Sequence, residues 1–175
     1  MPKIIEDIKE NILIETRRQI QEYGYSKVTI RSIASALSVG VGTIYNYYSS
    51  KDMIVATFMV NDWIKCLDEI KNMINSSNDN IKIIYDKFNQ FISEHSMLFH
   101  DELAEKNYAL TANKWHKVLT KQIADIIIVE CENSSVDDKE FLSLYIAESL
   151  ITWSLEGKQY SELSPIFNVL LKKEN

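Results

Sequence analysis

The sequence predicts an all-α fold, and three observations carry that expectation. Helix breakers are scarce: 175 residues hold four glycines and two prolines, and Pro2 and Pro165 lie near the ends. Apolar residues recur at spacings of three and four, the period of a helix with one buried face. No run alternates cleanly between apolar and polar, as a half-buried strand would. At 46% apolar and 25% charged, the chain is ordinary globular material, long enough to bury a substantial core.

The first helix is expected over residues 4–23. Ile5, Ile8, Ile12, Thr16 and Ile20 share one face, and Gly24 offers a stop because glycine tolerates the left-handed backbone. "YSKV" connects to a second helix barely two turns long. It is capped by Thr29 and carries Ile30, Ile33, Ala34 and Leu37 on one side. The chain breaks at residues 38–40. A third short helix follows over 41–48, with Ile44 and Tyr48 facing inward. Ser49 and Asp52 have capping-box spacing, so a long fourth helix should begin near Ser50 and run to Ile74. "NSSNDN" is a loop by composition. A helix is expected over 80–97, an ambiguous stretch at "SMLFHDE", and a long helix over 103–132 with a possible break near Thr111. Ser135 or Asp137 then caps a strongly apolar helix that stops at Gly157. A last helix is expected over 162–172.

Several classes of protein fit poorly. No stretch offers the 18 or so apolar residues of a membrane span, and the N-terminus lacks a secretory pattern. Cys66 and Cys131 have neither metal-like spacing nor the look of a disulfide framework, which suits a reducing cytoplasm. His95, His100 and His116 form no recognisable metal motif. No glycine-rich phosphate loop, metalloprotease motif or nucleophile elbow is present. The reading is therefore of a non-enzyme with no metal and no cofactor.

Charge is unevenly spread. The whole chain carries −6, yet residues 1–51 hold seven basic and five acidic residues, a balance of +2 that leaves −8 on the rest. A mildly basic third on an acidic body points to a local polyanion contact. Within that third lies "SVGVGTIYNYYSSKD", with half of the chain's glycines and three tyrosines within four positions. Buried phenols each need a hydrogen-bond partner, so such crowding is better suited to a surface that binds something. Two short helices across a tight turn, with a supporting helix before them, form a helix-turn-helix whose second helix enters the DNA major groove. On that helix Val41, Gly42, Thr43, Tyr45, Asn46 and Tyr47 should face outward. Gly42 lets the backbone approach the groove wall, and Thr43 and the tyrosine hydroxyls can bond phosphates. Asn46 suits an adenine edge and Val41 a thymine methyl. Lys51, beside the amides of the next helix start, can hold a phosphate.

"TIRSIASALSVGVGTIYNYYSSKDMI" resembles the DNA-binding module of the TetR family of bacterial transcriptional regulators. The resemblance runs over residues 12–55. Its sharpest pieces are Gly24-Tyr25, Thr29, Ile33-Ala34, Val39, Gly42-Thr43-Ile44-Tyr45, Tyr47 and Lys51. It implies a two-domain organisation, with the helix-turn-helix over 1–50 and a helical regulatory and dimerisation domain over 51–175. It adds Arg31 as a contact from the second helix, and places Thr29 with it at the DNA. It makes Lys51 a backbone contact, whose removal should flatten the salt dependence of binding by about one unit. Three departures stand out: Ser38 replaces the usual turn glycine, Gly40-Val41 replaces a common serine-lysine pair, and Glu15 and Gln19 make the first helix unusually polar.

A module this small touches few base pairs, so two copies should read a two-fold symmetric duplex site. The expected homodimer seam is the helix over 140–156, apolar nearly all round, joined by the last helix: Phe141, Leu144, Tyr145, Glu148, Ile151, Ile166, Phe167 and Leu170. A pocket for a small apolar or aromatic effector is sought among Phe58, Trp63, Phe88, Phe91, His95, Phe99, Tyr108 and Trp115. The expected function is a cytoplasmic, sequence-specific regulator, a repressor released from a palindromic operator by its ligand. The alternative is a helical protein-interaction module that has lost DNA binding.

Overall fold

The computed structural model describes residues 7–74, 79–99 and 101–171, with side chains throughout except at Phe99 and over 102–113. Among the described residues the fold is all-α, without a strand. In chain order the helices are α1 (Ile8–Tyr23), α2 (Ile30–Ala36), α3 (Val41–Tyr45), α4 (Lys51–Met73) and α5 (Asn80–Glu94). They continue with α6 (Ser96–Phe99), α7 (Glu102–Cys131), α8 (Lys139–Leu155) and α9 (Tyr160–Leu170), and a 3₁₀ turn over Tyr25–Lys27 links α1 to α2. The chain packs as two compact units. The first draws on Met1–Lys65 and His95–Ala109, the second on Cys66–Glu94 and Leu110–Asn175. Packing thus divides the chain differently from a single cut after residue 50.

The first unit is a helix-turn-helix with its supports. Ile12, Ile33, Ile44 and Ile54, one from each of α1 to α4, are fully buried in one cluster. Burying each such side chain stabilises the fold by roughly 2 kcal/mol. Leu98 of α6 joins the same cluster, so this core is completed by a segment far along the sequence. Gly24 ends α1 at φ 83°, its N–H donating to the Ile20 carbonyl at 2.8 Å. Thr29 caps α2 as expected, in a reciprocal box with Ser32. The turn between α2 and α3 places Ser38 at φ 54°, left-handed backbone that ordinarily favours glycine.

Several boundaries differ from the sequence expectation. The helical assignment of α3 ends at Tyr45, not at residue 48, because the amides of both Tyr47 and Tyr48 turn back to the one carbonyl of Ile44. The cap of α4 is Ser50, whose Oγ accepts from the Met53 amide at 3.1 Å. Asp52 accepts from the Tyr25 hydroxyl instead of closing a box with Ser49. Helix α7 is continuous past Thr111, with no glycine or proline to break it. Asp138, not Ser135 or Asp137, caps α8, accepting from the Phe141 amide at 2.9 Å. Helix α9 starts two residues early, at Tyr160, because Gln159 and Glu162 form a capping box.

In the second unit, Ile70, Ile84, Ile123, Ile127, Ile146 and Leu150 are fully buried. Phe88 and Phe91 stack with ring centroids 6.5 Å apart. Helix α8 buries Leu142, Ser143, Ile146, Ala147, Leu150, Ile151 and Ser154, a broad inner face. Both cysteines are buried thiols, and burial is the main reason their pKa values rise, to about 11 for Cys66. Thiolate is therefore scarce at neutral pH, and both behave as small apolar groups.

Candidate nucleic-acid interface

The face presented by α2 and α3 is set by which side chains the core takes. Ile44 and Tyr48 go inward, as the helical spacing requires. Arg31, Gly42, Asn46, Tyr45 (54% exposed) and Tyr47 (47% exposed) then lie outward, while Val41 and Thr43 are half-buried. Val41 packs against the core as well, which limits what it can offer a thymine methyl. A Cβ added at Gly42 would meet nothing within 4 Å, so the glycine leaves open space on the outer surface. The backbone of Gly40, at φ −71°, is also ordinary. Neither glycine is required by the fold. The oddity of the stretch therefore belongs to its outer surface. Tyr48 shows the cost of the opposite placement: its hydroxyl is buried without a partner in the protein, and burial raises its pKa, with Glu10 adding to the effect.

A chain of polar contacts holds the start of α2. The Ser32 amide donates to Thr29 Oγ1 at 3.0 Å, and the Thr29 amide donates to Ser32 Oγ at 3.1 Å. Ser32 Oγ donates to Gln19 Oε1 at 2.6 Å, and Gln19 Nε2 donates to Glu15 Oε1 at 2.7 Å. Arg18 grips both oxygens of Glu15 at 2.9 and 2.7 Å and also pairs with Glu22. The Arg18 guanidinium holds the Glu15 carboxyl below its usual range, against the opposing pull of burial. Glu15 and Gln19, noticed in the sequence only as polar departures, thus fix the α2 N-cap. Because Thr29 Oγ1 only accepts within this box, its own proton is available to donate outward.

A second polar group surrounds the connector between α1 and α2. Lys51 Nζ donates to the carbonyls of Tyr25 at 2.8 Å and Val28 at 3.0 Å, and lies 3.7 Å from the centre of the Tyr25 ring. Burial lowers the Lys51 pKa, and Asp52 and Asp101 oppose that shift. Asp101 accepts from the Ser26 amide at 3.1 Å and from the Ser26 hydroxyl. Nothing in the sequence signals the Ser26–Asp101 contact, since the two residues lie 75 apart.

Phe58, Trp63 and His95 are buried in the first unit, and Phe88 and Phe91 in the second. Trp115 is exposed, while the side chains of Phe99 and Tyr108 lie outside the described residues. His95 Nε2 donates to Asp62 at 2.9 Å, and Arg17 pairs with the same carboxylate at 2.7 Å while lying 5.0 Å over the Phe58 ring. A groove of about 510 Å³ runs beside this cluster, lined by Leu13, Ile14 and Arg17 of α1 and by Phe58 and Ile64 of α4.

Of the expected dimer residues, Ile151 and Phe167 are buried within the second unit and cannot supply a free face. Helical periodicity alone could not separate the inner and outer sides of α8, because both are apolar. Leu144 and Leu170 are half-buried, while Phe141, Tyr145, Glu148 and Ile166 are exposed. Phe141 and Tyr145 stack at 6.5 Å, and Leu155 and Val169 are exposed beside the expected set. Glu148 is tied to α7, accepting from Thr120 at 3.0 Å and meeting His116 Nε2 at 2.7 Å. Among the described residues, no group of three His, Cys, Asp or Glu side chains could hold a metal ion. No described helix is long and apolar enough to cross a membrane.

Short α2 and α3, braced by α1 and presenting polar and aromatic side chains outward, form a helix-turn-helix, the arrangement whose second helix can enter a DNA major groove. Residues 12–57 match the model of the family described as bacterial regulatory proteins, tetR family. It is 36% identical over 58 residues to the HTH-type transcriptional repressor Rv1474c of Mycobacterium tuberculosis, a match spanning 31% of each protein. The full fold is similar to that of a TetR-family transcriptional regulator from Pectobacterium atrosepticum (TM-score 0.69, 12% identity, covering 99% of this chain and 100% of that one). It is also similar to the transcriptional regulator FadR of Bacillus subtilis in complex with stearoyl-CoA (TM-score 0.51, 16% identity, 93% and 95% covered).

Proposed function

We propose that this chain is a cytoplasmic, non-enzymatic, sequence-specific transcriptional regulator that binds a two-fold symmetric DNA operator as a homodimer. The observation that carries this is the outward set Arg31, Gly42, Tyr45, Asn46 and Tyr47, mounted on two short helices whose inner faces are fully committed to the core. Thr29 and Thr43 add hydroxyls at the same surface, suited to phosphate oxygens, and Val41 an apolar edge. Base reading falls to Asn46 and the α3 tyrosines, for which the major groove offers a distinct donor and acceptor pattern at each base pair.

The second copy docks on the exposed apolar residues of α8 and α9: Phe141, Tyr145, Leu155, Ile166 and Val169. Exposed aromatic and aliphatic side chains of this kind on both helices suit an interaction face. Repression relieved by an apolar or aromatic effector is the regulatory reading. Support for it comes from the repressor description of the Mycobacterium tuberculosis relative and from the acyl-CoA held by the Bacillus subtilis regulator. The effector would act by favouring one of two conformations of the dimer.

Selection of bound duplexes from a random pool tests the proposal. Enrichment of a palindrome whose half-sites lie about one helical turn, or a multiple, apart supports it. A folded protein that enriches nothing with or without acyl-CoA, across moderate salt, rejects it.

A further inference from the structure

We infer that Lys27, on the connector between α1 and α2, is a further contact to the DNA backbone: its ammonium takes a phosphate, adding affinity without reading a base. The inference rests on the DNA-binding reading above and widens that interface by one cation. Backbone geometry carries it. The 3₁₀ turn over Tyr25–Lys27 is closed by the Lys27 amide donating to the Gly24 carbonyl and the Val28 amide donating to the Tyr25 carbonyl, both at 3.2 Å. Tyr25 and Val28 are buried and anchor the turn on either side. Val28 and Thr29 are extended, at φ −79° and −133°. Side chains alternate along extended backbone, so Lys27 and Thr29 point away from the core that takes Val28, and both are exposed. Thr29 Oγ1 keeps its proton for an outward partner, and exposed Arg31 follows two residues later.

The charges around the connector leave Lys27 as the one that meets solvent. Lys51 sits against the same turn, on the carbonyls of Tyr25 and Val28. Asp52 accepts from the Tyr25 hydroxyl, and Asp101 from the Ser26 amide and hydroxyl. Glu22, near the end of α1, is paired with Arg18. Lys27 and Lys51 thus balance Asp52 and Asp101, and position decides which sign an approaching strand meets. Lys51, Asp52 and Asp101 are half-buried and hydrogen-bonded within the connector, whereas Lys27 is exposed. Among the described residues Lys27 makes no ion pair. A flexible ammonium with three donors suits a phosphate oxygen, which asks for charge more than for a fixed orientation.

Salt dependence and sequence dependence together test the assignment. The probes are a labelled duplex enriched from the random pool and a shuffled duplex of equal length. Each is titrated with the parent protein, Lys27→Gln, Lys27→Arg and Arg31→Ala. Loss of one phosphate contact lowers the slope of log affinity against log salt by about 0.9. The affinity lost by Lys27→Gln, relative to the parent, should therefore be about 3.5-fold greater at roughly 50 mM salt than at roughly 200 mM. The loss should be the same on both duplexes, because phosphates carry no sequence information directly, and Lys27→Arg should restore the slope. In the parent protein, the Lys27 ammonium NMR signal should move when duplex is added, a readout that needs no variant to fold. A parent-like slope for Lys27→Gln, a loss confined to the enriched duplex, no recovery with arginine, or an ammonium signal that stays put each overturns the inference. Arg31→Ala separates the two failures: a lowered slope there, beside a parent-like slope for Lys27→Gln, removes Lys27 and leaves the interface standing. Absence of any salt-dependent binding by the parent protein sinks both.

Discussion

Ser38 and Gly42 are a mismatched pair. At φ 54° the turn residue between α2 and α3 adopts left-handed backbone, yet it is serine. Gly42 has ordinary helical surroundings and open space where a side chain would go, yet it is glycine. Left-handed backbone costs an L residue about 1 kcal/mol or more, and glycine within a helix costs about 1 kcal/mol relative to alanine. Ser38→Gly should therefore raise the melting temperature by about 2–4 °C without changing operator affinity, measured by calorimetry and a binding isotherm on the same preparation. Gly42→Ala should raise the melting temperature by a similar amount and weaken DNA binding, since its methyl group would stand between backbone and groove. Equal affinity for Gly42→Ala and the parent protein would remove Gly42 from the interface.

At the scale of elements, the N-cap of α2 depends on a residue in the preceding helix. Gln19→Leu removes the acceptor for Ser32 Oγ and the donor to Glu15, leaving both partners to find others. A loss of about 1–2 kcal/mol in stability is expected, with faster amide exchange at Thr29 and Ser32, the two amides of the box. Unchanged exchange there would show that the cap stands alone. Most of this architecture was legible in the sequence. Caps and glycine stops marked α1, α2 and α4 to within a few residues, and the inward turn of Ile44 and Tyr48 followed from spacing. What was not legible had physical causes. Gln19 reads as a polar defect on an apolar face until Ser32 is seen opposite. The inner face of α8 cannot be told from its outer one by periodicity, which is why the expected seam includes Ile151 and Phe167, both buried within the second unit. The expected pocket rested on aromatic spacing, which core packing produces equally well.

For the whole molecule, the proposed dimer makes the sharpest prediction. Phe141 and Val169 are 62% and 68% exposed, high for side chains of their kind. Val169→Asp should give a folded monomer by sedimentation, with operator affinity lowered about a hundredfold or more because two half-sites are no longer engaged by one linked pair. A dimer that survives this change would place the seam elsewhere.

The DNA-facing unit is not a contiguous piece of chain. Leu98 lies in its core and Asp101 holds Ser26, both contributed from beyond residue 94. Grafting residues 1–65 alone onto a foreign body would strip that core of a leucine and Ser26 of its carboxylate. Exchange of reading heads between regulators, in the laboratory or by recombination, must therefore carry two separate stretches of gene or find substitutes for the second.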